Sequence, residues 1–411
     1  MPRHRRAKHG PSHGKVVFGG VVLGLVLGGA LVAAAAVPLP TGPPTMSLHI
    51  AAKPSKMAPL DLPFPAQGES AVAIPTLDVS LTPGDQQPVP IASLTKMMTA
   101  YVTFRDLPLG PEDQGPSIYV TSADVKEYKA DLRGGESCVL VAAGEVLTER
   151  ELLDGMLVHS ANNFATLLAR MVAGDESAMV TQMNDEALAL GLHQTTYADV
   201  TGVDPASRSN AADQLHLAVL LMRNATFAAI VRQTSVVLPI AGVVTTFMPD
   251  LGRPGVVGIK TGTTSESKGC VLMAYDAAVA GRPVQVIVAV LGQSSPNQTL
   301  LEAAGKSALI LATGTARRIR PWRVVAVSEP VGSIGWPSKA VPIVVLNSIT
   351  VPTFPGVAAR STVEERTWAP NYVADRQHLA TVFVTSGAYR YATPIVTSAQ
   401  LTRATLWQRL R

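Results

Sequence analysis

An α+β fold is predicted by three features of the 411-residue chain. Short apolar runs of strand length (Val256–Lys260, Cys270–Tyr275, Val284–Leu291) follow a block dominated by helical periodicity. Strands and helices are mixed without the strict alternation of a doubly wound sheet. Hydrophobic residues make up 47% and charged residues 16%, enough apolar material for a real core and too little charge for a long disordered chain.

Taken in order, the chain begins with a basic tail, residues 1–15, carrying Arg3, Arg5, Arg6, Lys8 and Lys15, with no acidic residue before Asp61. Without those five charges the formal +4 becomes −1, so the basicity belongs to the tail and gives no case for nucleic-acid binding. Residues 16–37 form an uncharged apolar stretch. A spanning helix needs about 20 residues and a signal-peptide core roughly 7–15, so length favours a retained membrane anchor, basic end inside. Small residues at Ala33–Ala36 leave a cleaved signal peptide as the alternative. Either way the rest of the chain is expected outside the cytoplasm.

Residues 38–68, rich in Pro, read as an extended linker. A catalytic domain is expected over 69–316: a first strand at Ser70–Pro75, helices at Ser93–Asp106, Leu147–Ala173 and Ala178–Gly191, the three buried strands, and a closing helix at Thr299–Thr313. Composition shifts near Arg317–Arg323, and β-like runs at Val324–Val327, Pro342–Val345, Thr381–Thr385 and Pro394–Val396 predict a small β-rich domain over 317–397. Residues 398–411 read as a terminal basic helix. Cys138 and Cys270 are expected to be free, buried thiols.

Three short motifs carry the chemistry. Ser93-Leu94-Thr95-Lys96 opens a helix, Ser160-Ala161-Asn162 separates helical segments, and Lys260-Thr261-Gly262 ends a strand. A serine hydroxyl needs a base within hydrogen-bond reach. Three residues along a helix bring Lys96 over Ser93, and burial together with the charge of Lys260 is expected to depress the lysine pKa. The Ser93 and Thr263 N–H groups are candidates for an oxyanion hole, and Gly262 for a strand edge that a substrate can approach. Ser160 and Asn162 fit the other wall of the cleft, as a proton-relaying hydroxyl and an amide. Lys260 and Thr261 suit a free substrate carboxylate. Singly, each motif has an ordinary explanation as an N-cap or a turn; in this order and context the set is the known signature of penicillin-recognising serine enzymes.

The residues around the motifs resemble the D-alanyl-D-alanine carboxypeptidase family: Pro90-Ile91-Ala92-Ser93-Leu94-Thr95-Lys96-Met97-Met98, Leu152-Leu153-Asp154-Gly155-Met156-Leu157-Val158-His159-Ser160-Ala161-Asn162-Asn163, Thr201-Gly202-Val203-Asp204 and Val257-Gly258-Ile259-Lys260-Thr261-Gly262. The resemblance implies a penicillin-recognising, serine transpeptidase/β-lactamase-like catalytic domain, with a β-rich C-terminal domain in many members. It implies acyl-enzyme chemistry on peptidoglycan stem peptides without metal or cofactor, and sensitivity to β-lactams. Ser93, Lys96, Ser160 and Asn162 are then catalytic, and Lys260, Thr261, Gly262 and Thr263 substrate-binding. Asn163 stands where many members have Asp, and Arg253 is the candidate for a carboxylate-binding arginine found in some members. A class A β-lactamase would need a Glu-x-x-Asn pattern after the second motif, but Glu176 and Glu186 are followed three residues later by Met179 and Ala189. A non-hydrolytic β-lactam sensor or wall-binding module is the remaining alternative, with only residues 1–15 available as an internal signalling segment.

Overall fold

The computed structural model describes residues 43–50, 61–337, 339–368 and 372–402. The basic tail, the apolar stretch, much of the proposed linker and residues 403–411 of the terminal helix lie outside the described residues. Among the described residues no helix is long and apolar enough to cross a membrane.

An antiparallel five-stranded sheet organises the catalytic unit, in the order Val256–Thr264, Lys268–Val279, Arg282–Gln293, Glu69–Ile74, Val79–Leu81. Its central strands carry continuous apolar runs because both of their faces are covered. In the central strand Val284, Val286, Val288 and Val290 point into one core, and Ile287, Ala289 and Leu291 into the other. This is the two-residue period of an extended chain with neither face left to water. Helix Leu300–Ala316 covers the first face and helix Ala211–Leu221 the second. Beyond the latter lies the helical half: Lys96–Asp106, Ser122–Gly134, Glu149–Val158, Asn162–Ala173 and Glu176–Ala189.

Local sequence sets the helix boundaries. Thr148 and Glu151 form a reciprocal capping box that starts helix Glu149–Val158, and Thr299 with Glu302 does the same for Leu300–Ala316. The helical region over Leu147–Ala173 is two helices divided at the second motif, with Ser160 and Ala161 in the break and Asn162 opening the second helix. The break has a physical cause in Ser160, which adopts the left-handed region at φ 61° and ends the first helix.

Two expectations are corrected in the outer segments. Thr45–Leu48, read as linker, is a strand paired antiparallel with Gly332–Gly335 at the edge of the C-terminal sheet. Leu401–Thr402, read as the start of a helix, pair instead with Tyr372–Val373, because Leu401 is fully buried in the β-domain core. That domain is built on a six-stranded sheet containing Thr45–Leu48, Pro330–Trp336, Lys339–Val345, Tyr389–Thr397, His378–Ser386 and Arg360–Glu365. It meets the catalytic unit through Phe354, which is buried in the core beneath the central sheet. The tight turn at Gly387 also makes contact, where the Ala388 N–H donates to the Thr76 carbonyl at 2.8 Å. Cys138 is half-buried and Cys270 buried, and both are free.

The crossing of helices Glu149–Val158 and Asn162–Ala173 depends on one small residue. A Cβ at Gly155 would lie 2.5 Å from the ring of Phe164, which is itself buried. Gly155→Ala is expected to lower stability in urea denaturation by about 1–3 kcal/mol through overpacking, despite alanine's better helix propensity. Adding Phe164→Leu should recover part of the loss.

Candidate active site

The three motifs converge on one cleft between the edge strand Val256–Thr264 and the helical half. Ser93 lies in a single 3-10 turn, Ala92–Thr95, that leads directly into helix Lys96–Asp106. Ala92 holds φ 48°, so the residue before the serine and Ser160 across the cleft both occupy the left-handed region. For non-glycine residues this costs roughly 1–2 kcal/mol each, strain that the surrounding packing must hold in place.

Lys96 is fully buried, and its ammonium nitrogen has three polar partners. It lies 2.9 Å from Ser93 Oγ, 2.6 Å from Asn162 Oδ1 and 2.8 Å from the Thr201 carbonyl oxygen. Lys260, also buried, donates to Ser160 Oγ at 2.8 Å and to the Thr261 carbonyl at 2.9 Å. The cleft thus contains two hydroxyl–lysine pairs, one from the first motif alone and one joining the second and third. Lys260-Thr261-Gly262 sits within the nine-residue strand rather than at its end, and the strand runs on through Thr263 to Thr264.

Burial pulls Lys96 down to about 7, against the carboxylates of Asp199, Glu136 and Asp131, which favour its charged form. Of the two causes expected from the sequence, burial is the main agent on Lys96, and the charge of Lys260 is not among those acting on it. The cation effect acts the other way round. Burial pushes Lys260 well below the ordinary lysine range, and the charge of Lys96 pushes it further.

Glycine at 262 has a structural reason beyond substrate access. A Cβ there would meet Ser93 N at 2.9 Å and the Ile91 carbonyl at 3.0 Å, so its absence lets the strand close on the turn bearing Ser93. Gly202 plays the same part from the opposite side: it holds φ 86°, and a Cβ would overlap the Ala92 carbonyl at 1.8 Å. The loop bearing Gly202 is fixed by Asp199, whose carboxylate accepts from the Gly202 N–H at 2.8 Å, the Val203 N–H at 2.9 Å and the Ser207 hydroxyl at 2.6 Å.

Several of these contacts were missed in the sequence. Thr201-Gly202-Val203-Asp204 stood out only as a resemblance; the Thr201 carbonyl as a lysine partner depends on the loop's path. Asn163 bridges backbone, with Oδ1 accepting from the Val139 N–H at 3.0 Å and Nδ2 donating to the Val139 carbonyl at 2.8 Å. Arg253 is paired with Asp250 at 2.9 Å in the turn before the edge strand, several residues upstream of Lys260. It is not brought to the cluster of lysines and hydroxyls.

A family model for D-alanyl-D-alanine carboxypeptidases, peptidase S11, matches residues 78–295, more than half of the chain and all three motifs. The chain belongs to this family. Among curated members, a D-alanyl-D-alanine carboxypeptidase of Bacillus subtilis is 27% identical over 216 residues, covering 50% of this chain and 52% of the relative. One from Mycobacterium tuberculosis is 32% identical over 186 residues, 44% of this chain and 60% of the relative. The matches therefore span about half of this chain and little more than half of these relatives. Penicillin-binding protein 6B of Escherichia coli superposes with a TM-score of 0.56 at 20% identity, covering 88% of this chain and 99% of that structure. Penicillin-binding protein 5 of Haemophilus influenzae does so at 0.56 and 18%, covering 83% and 98%. At these identities the superpositions establish the fold: the α+β catalytic unit of penicillin-binding proteins with a β-rich C-terminal region.

If Lys96 must be neutral to take the Ser93 proton, acylation should follow its ionisation. Being a base depressed to about 7, it is mostly protonated below that pH and mostly free above it. The second-order rate constant for labelling by fluorescent penicillin is expected to rise with pH through a midpoint near 7 and level off above pH ~8. Toward acid it should fall about tenfold per pH unit.

Proposed function

We propose that this protein is a serine D-alanyl-D-alanine carboxypeptidase that removes the terminal D-Ala from peptidoglycan stem peptides outside the cytoplasm and is acylated by β-lactams. The observation that carries the reading is the Ser93–Lys96 pair: a hydroxyl 2.9 Å from a buried amine whose pKa lies near 7.

In this reading Lys96 Nζ takes the Ser93 proton as Oγ attacks the carbonyl carbon of the penultimate D-Ala. The Ser93 and Thr263 N–H groups receive the oxyanion. The C–N bond breaks as the proton taken by Lys96 is passed on to the leaving amine, the Lys260–Ser160 pair lining that side of the cleft, and Lys96 is neutral again. Free D-Ala departs, leaving an ester on Ser93. Water then attacks the ester, giving up a proton to Lys96, which returns it to Ser93 Oγ as the ester C–O bond breaks and the shortened peptide is released. The same attack on a β-lactam opens the ring without expelling a separate amine.

Lys260 supports the C-terminal preference. Among the described residues it donates to a hydroxyl and a carbonyl and feels the charge of the second lysine. A substrate's free carboxylate would supply a counter-charge, with Thr261 and Thr263 as hydrogen-bond donors beside it.

The membrane anchor at residues 16–37 belongs to the same proposal. Because Thr45–Leu48 is stitched to the C-terminal sheet, an anchor preceding it would leave the β-rich domain nearest the bilayer, with the active site beyond it.

Two measurements test the reading. Ser93→Ala is expected to abolish both penicillin labelling and D-Ala release from a D-Ala-D-Ala-ended pentapeptide while melting normally; labelling of the folded variant would overturn it. Lys260→Ala should lose most of the parent's discrimination between a free C-terminal carboxylate and its amide. If amidation cost both proteins equally, Lys260 would not be the carboxylate's partner.

A further inference from the structure

Asn162 is held at both ends. Its Oδ1 accepts from Lys96 at 2.6 Å, and its Nδ2 donates to Glu136 Oε2 at 2.7 Å. An amide has one accepting and one donating end, so a carboxylate on the nitrogen side forces the oxygen toward the lysine. Rotated by half a turn, the amide would set an N–H₂ group against the lysine nitrogen and leave Glu136 facing an oxygen.

Glu136 is itself fixed by backbone. Helix Ser122–Gly134 ends at Gly135, φ 74°, and the Glu136 N–H closes the helix end by donating to the Asp131 carbonyl at 3.0 Å. The next residue, Ser137, offers its carbonyl to the Asn162 N–H at 2.8 Å. Val139 is then clamped by both ends of the Asn163 side chain. The segment carrying Glu136 is thus stitched to the first turn of the helix carrying Asn162, and the Glu136–Asn162 contact is built into the fold.

We infer that Glu136 is a positioning residue of the reaction: its carboxylate locks the Asn162 amide with the oxygen toward Lys96 and stands one side chain away from that lysine. This rests on the acylation reading above.

Other charges face the same lysine. Asp199 from the loop before Thr201, and Asp131 from helix Ser122–Gly134, also favour its protonated form. Lys260 stands across the cleft and is pushed down by it. Asp131 is held up at about 6 by burial, then by the charges of Glu136 and Glu127, with Lys96 pulling it back and Glu176 adding to the rise. Glu136 differs from all of these in touching the amide that bonds the base.

The test uses the full chain and two variants. Glu136→Gln keeps an oxygen for Asn162 and removes the charge; Glu136→Ala removes both. Penicillin acylation is measured from about pH 5 to about pH 9, and the carbon-13 shift of Lys96 Cε is titrated in parallel. Glu136→Gln is expected to move both midpoints to lower pH by at least about half a pH unit, which makes acylation at the acid end about threefold faster than in the parent. Glu136→Ala should show the same displacement with a plateau severalfold below that of Glu136→Gln, because Asn162 has lost its acceptor. Unchanged midpoints in Glu136→Gln, or a uniform loss of rate at every pH, would overturn the inference. If the parent is not acylated at all, the function proposed above fails. The Lys96 titration then decides alone: coincident curves overturn the role of Glu136, and a curve displaced to lower pH in Glu136→Gln upholds it.

Discussion

The active centre depends on a fully buried lysine. An ammonium withdrawn from water is costly unless it loses its proton or gains partners, and Lys96 is held between these outcomes. Burial drives it toward the neutral form that can act as a base, while Asp199, Glu136 and Asp131 keep protonation within reach. Among the described residues the acceptors in direct contact with it are a hydroxyl, an amide oxygen and a carbonyl, and none is a carboxylate. A carboxylate in direct contact would favour the ammonium strongly and remove the base at neutral pH.

Much of the surrounding structure exists to bring the walls of the cleft close enough to bury that group. Gly262 lets the edge strand close on the turn bearing Ser93, and Gly202 lets the loop carrying Thr201 close on it from the other side. Ala92 and Ser160 accept left-handed backbone to aim the residues around them. The rigid element behind all of this is the five-stranded sheet. It is packed on both faces, so the edge bearing Lys260 cannot move without disturbing two cores.

The second lysine and the C-terminal domain show different kinds of dependence. Among the described residues Lys260 donates to a hydroxyl and a carbonyl, and burial and the charge of Lys96 both push it down. The β-rich domain touches the catalytic unit on the side of Thr76, Pro283 and the core around Phe354, away from the motif cluster. It also recruits Thr45–Leu48 from before the catalytic unit, so the two ends of the described chain meet in one domain.

What the sequence by itself determined was whatever is encoded locally. Alternating or continuous apolar runs marked the strands of the central sheet, and helical periodicity several of the helices around it. Three motifs in order named the side chains that meet in the cleft. The second motif was legible as a division within the helical region Leu147–Ala173, while the left-handed backbone of Ser160 that makes the division was not. Tertiary structure alone decided the rest, since these contacts join residues distant in the chain and leave no periodic trace. The Thr201 carbonyl reaches Lys96 across 105 positions, and Glu136 reaches Asn162 across 26. Thr45–Leu48 and Leu401–Thr402 are too short for a pattern to distinguish strand from linker or helix, and they became strands because a sheet edge and a buried pocket for Leu401 were there to receive them.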